Sequence, residues 1–114
     1  MAFNNLRKHF ETSDRAQDLS LRTHYYRNDY RKVKTALTEA AKAAGFEFSH
    51  ENDERMEHVL KRKDCEVIVT IITITPIETT VDFTVNTFGL LSFGKGRKVI
   101  EELYRELDKR LMLK

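Results

Sequence analysis

The chain is predicted to fold as a two-layer α+β domain, an antiparallel sheet of about five strands with two helices on one face. Two stripes of apolar residues at helical spacing, 29–44 and the stretch after residue 98, flank a block of alternating segments. Four of those segments, 46–49, 55–63, 66–74 and 78–88, are joined by turns far too short for a parallel crossover, so they pair antiparallel. The middle segment, 66–74, is apolar on both faces, as a central strand covered twice would be. With a strand at 19–26 the order reads β-α-β-β-β-β-α after a short N-terminal arm.

The arm covers residues 1–18, and the domain proper runs over 19–114. Phe3, Leu6 and Phe10 recur at i, i+3 and i+7, which predicts a short amphipathic helix there. Leu19, Leu21, Thr23 and Tyr25 alternate with polar residues and predict the first strand, 19–26. Asn28 is a suitable N-cap for a helix over 29–44, whose stripe is Tyr30, Val33, Leu37, Ala40, Ala41 and Ala44. Gly45 follows as the residue that leaves the helix.

Phe46 and Phe48 begin the meander, and Met56, His58 and Leu60 share one face of the next strand. Pro76 lacks an N–H for the ladder and closes the central strand. In 78–88, Thr79, Val81, Phe83, Val85 and Thr87 face the core. Glu78, Thr80, Asp82, Thr84 and Asn86 face water. The final helix carries Val99, Ile100, Leu103, Leu107 and Leu111, with Glu101–Arg105 and Glu106–Arg110 as i,i+4 pairs. In its order of elements the chain resembles the repeat of the TATA-box-binding-protein-like fold. That likeness is one of topology, and it carries no functional residue with it.

At 114 residues, about 40% apolar and 33% charged, the sequence has the composition of an ordinary globular domain. No apolar run reaches the ~20 residues of a membrane span, and the first residues lack the apolar core of a signal peptide. The single cysteine, Cys65, excludes an intrachain disulfide and suits the cytoplasm. A net charge of +2 does not by itself point to nucleic acid.

Three of the four glycines lie in Gly89-Leu90-Leu91-Ser92-Phe93-Gly94-Lys95-Gly96, which nearly spells the phosphate-cradling loop G-x-x-x-x-G-K-[ST]. Gly96 replaces the hydroxyl residue that would hold magnesium, and no parallel strand follows to supply its acidic partner. A nucleotide-hydrolysing machine is therefore not expected. What remains is an anion site of Lys95, Gly96, Arg97 and Lys98 at a helix N-terminus, where unpaired N–H groups favour negative charge. Leu90, Leu91 and Phe93 form an apolar loop tip that needs a cover, from the domain or from a partner.

Other candidates are weaker. His9, His24, His50, His58 and Cys65 lack the spacing of a metal site, so no metal is predicted. Glu78 and Asp82 lie about 13 Å apart along an extended strand, too far to act as a catalytic pair. Thr80, Asp82, Thr84 and Asn86 together form a possible ligand face. The stretch Thr23-His24-Tyr25-Tyr26-Arg27-Asn28-Asp29-Tyr30-Arg31-Lys32 and the cluster Lys61-Arg62-Lys63 offer basic and aromatic groups for a nucleic acid, which is not the favoured partner.

The sequence thus predicts a non-enzymatic binding or assembly module acting through its open sheet face or its apolar loop tip, as a homodimer. An anion-binding domain for nucleic acid or a phosphorylated ligand is the second reading. No catalytic residue and no cofactor is predicted, and an enzyme would need a pocket the sequence does not reveal.

Overall fold

A computed structural model describes residues 7–88 and 95–114. The elements are β1 (Arg7–Glu11), β2 (His24–Tyr26), α1 (Tyr30–Ala43), β3 (Glu47–Asn52), β4 (Glu57–Arg62), β5 (Cys65–Thr75), β6 (Glu78–Phe88) and α2 (Lys95–Asp108). They form the expected α+β domain, with one antiparallel sheet in the order β1-β6-β5-β4-β3 and β2 also on β6.

β3 to β6 form the predicted meander. Alternation sends Cys65, Val67, Val69 and Ile71 of β5 and Val81, Phe83 and Val85 of β6 to one face, all buried. Val33, Leu37, Ala40 and Ala41 of α1 and Val99, Ile100, Leu103 and Leu107 of α2 meet them in a single core. Burying each of the valine, leucine, isoleucine and phenylalanine side chains among them stabilises the fold by roughly 1.5–3 kcal/mol.

The ends of α1 show how local chemistry sets its limits. Asp29, not Asn28, is the N-cap, its carboxylate accepting from the Lys32 N–H at 2.9 Å. The Asn28 side chain instead accepts from the Met112 N–H, which ties the C-terminal tail beside β2. At the other end Gly45 adopts φ +81°, and the Phe46 N–H reaches back to the Ala41 carbonyl at 2.8 Å. This double turn needs a left-handed residue, which glycine supplies without steric cost.

The N-terminal segment departs from the expected helical arm. Residues 7–11 are a strand, paired with 84–88 of β6. The predicted strand 19–26 is also narrower. Leu19–Leu21 is a single 3₁₀ turn capped by Asp18, and only His24–Tyr26 joins the sheet, against 79–81. β1 and β2 therefore share one edge of β6, and residues 13–22 are an excursion that leaves the edge and returns to it.

That excursion is sealed at its neck. The Thr12 N–H donates to the Phe83 carbonyl at 2.9 Å, and Thr23 N–H donates to the Ser13 carbonyl at 3.3 Å. Thr12 and Thr23 each donate a hydroxyl to the same Asp82 oxygen at 2.6 Å.

Candidate functional site

The β5–β6 hairpin outruns its neighbour. Both strands have eleven residues, yet β4 pairs with β5 only as far as Thr70. The Ile71 N–H is still met by the Met56 carbonyl at 2.9 Å, and beyond it the outer edge of 72–75 has no ladder partner among the described residues. Ile72, Ile74 and Ile77 are 48, 49 and 73% exposed there. From Val67 to Thr75 every residue is β-branched and none is charged. Such an edge lacks the charges that usually stop strands from pairing with foreign chains.

The open face of β6 is less free than its spelling suggests. Thr80 is only 4% exposed, set between Ile72 and Tyr25 in adjacent strands. Asp82 is occupied by Thr12 and Thr23. Thr84 and Asn86 are half-buried and face Ile68 and Glu66 across the ladder. Glu78 pairs with Lys114.

At the start of α2, Lys95 lies 3.5 Å from Asp64 and Arg97 lies 2.7 Å from Asp18. These carboxylates offset the cost of cations at a helix N-terminus, and an added anion would have to compete with them. Lys98 is exposed. Gly96 is buried under the Phe10 ring. Leu90, Leu91 and Phe93 lie outside the described residues.

The tyrosines of the basic–aromatic stretch point their hydroxyls at acids. Tyr25 donates to Asp14, Tyr26 to Asp108 and Tyr30 to Asp53, each at 2.7 Å. Tyr26 is fully buried, so it offers no ring to a nucleobase. Arg62 of the second basic cluster is bound to Asp64 at 2.8 Å, and this partner holds the carboxyl down at about 2.

His58 is a structural histidine. It is wholly buried, with Nδ1 accepting from the Asn52 N–H at 3.3 Å and Nε2 set 2.9 Å from the Tyr30 hydroxyl. The Tyr30 proton goes to Asp53, so Nε2–H of neutral His58 donates to the Tyr30 oxygen. Burial lowers its pKa and favours that neutral form. Burial also pushes the Cys65 thiol up to about 11, which makes it a poor nucleophile.

The excursion, β2 and α2 together build a groove of about 450 Å³ lined by Ser20, His24, Glu101, Tyr104, Arg105, Asp108 and Lys109. The interruption of the edge strand is filled by Tyr104, whose hydroxyl donates to the Val81 carbonyl at 2.6 Å. The His24 ring stacks on the Tyr104 ring, centroids 3.6 Å apart and planes within 6°. Nδ1 of His24 lies 3.0 Å from the Asp108 oxygen that also accepts the Tyr26 proton. Asp108 thus fixes the ring, and an ionised carboxylate there places the Nδ1 proton toward itself. This constellation was not legible in the sequence beyond the listing of His24 among possible ligands, because Asp108 stands 84 residues away.

Among the described residues no three or more His, Cys, Asp or Glu side chains gather as a metal site. No helix among them is long and apolar enough to cross a membrane. No known family model matches the chain, and no curated protein matches it.

Proposed function

We propose that the chain is a non-enzymatic assembly module of the cytoplasm that forms a homodimer through the bare edge of β5. The observation that carries this reading is the conjunction at 72–75 of an edge unpaired among the described residues with the exposed side chains of Ile72, Ile74 and, in the turn, Ile77. A two-fold axis across that edge sets 72–75 of two copies antiparallel. Each strand then gains backbone partners and the isoleucines of both copies meet on one face. A second copy suits the edge because the same short, uncharged segment is complementary to itself in that orientation.

Sedimentation tests the reading. The wild type is expected at twice the 13.4 kDa chain mass, and Ile74→Lys, which places a charge in the seam without touching the core, at a single chain mass. A wild type that stays monomeric at high concentration overturns it.

The second reading, an anion-binding domain at Lys95, Gly96, Arg97 and Lys98, draws its remaining support from exposed Lys98. Heparin retention unchanged in Lys98→Ala removes that support.

A further inference from the structure

We infer that the groove between the 13–22 excursion and α2 binds a phosphorylated sugar, with Arg105 and Lys109 holding the phosphate and His24 accepting a sugar hydroxyl proton. The inference is independent of dimer formation, since the groove and the β5 edge share no residue.

Two kinds of group line the groove. Arg105 and Lys109, both exposed, are its cations. Lys109 is held by Glu106 at 3.1 Å, whereas Arg105 has no carboxylate partner among the described residues. The i,i+4 pair expected of Glu101 and Arg105 does not form, although its counterpart Glu106–Arg110 does at 2.8 Å. A free guanidinium is suited to a phosphate, which it meets with two parallel N–H donors.

The remaining groups supply acceptors. Asp108 takes the protons of both Tyr26 and His24 Nδ1, so the lone pair of neutral His24 stands on Nε2. Nε2 has no partner among the described residues. Glu101, one turn before Arg105 on α2, adds a carboxylate to the lining. Acceptors beside cations suit a molecule that carries both a phosphate and hydroxyl donors. The volume, about 450 Å³, lies within the usual range of small-ligand sites.

The His24 ring is held from two directions. Its face rests on Tyr104, its Nδ1 on Asp108, and both supports are anchored in the core through Tyr26 and the Val81 carbonyl. The ring is therefore held before a ligand arrives, which lowers the entropy lost on binding.

Titration of the full chain with ribose 5-phosphate, ribose and inorganic phosphate, followed by calorimetry and by the NMR signals of His24 and Arg105, tests the inference. Ribose 5-phosphate is expected to bind more tightly than either fragment and to shift both residues. Arg105→Ala, an exposed change that leaves the fold intact, is expected to weaken it about tenfold or more. His24→Gln, checked for folding by circular dichroism, is expected to weaken ribose 5-phosphate while leaving inorganic phosphate unchanged. No response to ribose 5-phosphate up to about 5 mM overturns the inference, that concentration being the range of very weak sites. So do shifts confined to the surroundings of Lys98, or an unchanged affinity in Arg105→Ala.

Discussion

A Cβ added to Gly96 would fall 2.2 Å from Cδ2 of Phe10 and 2.8 Å from two further atoms of that ring. The glycine that stands where a nucleotide-binding loop has its hydroxyl is thus required by packing, because β1 crosses close under the first turn of α2. Alanine in an exposed helix would be favoured over glycine by about 1 kcal/mol. Here the clash outweighs that gain, and Gly96→Ala is expected to destabilise the fold by about 1–3 kcal/mol in denaturant unfolding. Combining it with Phe10→Ala should cost less than the two changes added together, as expected for residues in contact. A more stable Gly96→Ala chain would contradict this packing.

Asp82 is the second such position. Removing its carboxylate in Asp82→Ala takes away the acceptor of the Thr12 and Thr23 hydroxyl protons at the neck of the excursion. The expected loss is about 1–3 kcal/mol, with faster hydrogen exchange and proteolysis confined to 13–22. Exchange that rises instead across the whole sheet would assign Asp82 a different role.

These two cases show what a single sequence displays and what it hides. Gly45, the stripe of α1 and the alternation of β5 and β6 were legible because their causes lie within a few residues: a left-handed turn, a helical period, a strand period. The spacing of Phe10 from Phe3 and Leu6 fits a helix, while its true neighbours, Val85 and Gly96, lie far along the chain. The alternation over 19–26 runs past the true strand because alternation does not register where a ladder stops. Asp18 capturing the N–H and hydroxyl of Ser20 bends the chain away from the sheet. The groove is hidden for the same reason as β1, since His24 and Asp108 meet only in three dimensions.

His58 makes stability depend on pH. Burial depresses its folded pKa below the unfolded value near 6.5, so its contribution is complete above that value and is lost as pH falls through the folded pKa. The groups facing it are Tyr30 and Lys34 from α1, Glu51 and His50 from β3, and Asp53 from the following turn. Unfolding at pH 7.5 and at pH 5 is expected to show a larger loss on acidification in the wild type than in His58→Gln. Nitrogen chemical shifts should report neutral, Nε2-protonated His58 at pH 7.5. Equal pH dependence in both chains would show that His58 does not carry the effect.

The exposed isoleucines lead to the central claim, that two copies join along β5. The direct measurement is an isotope-filtered NMR experiment on a mixture of labelled and unlabelled chains, which records contacts between copies only. Contacts of Ile72 and Ile74 with the same residues of the other copy, lost in Ile74→Lys, are the predicted result. Contacts between copies that arise solely elsewhere, or none at all, would contradict it.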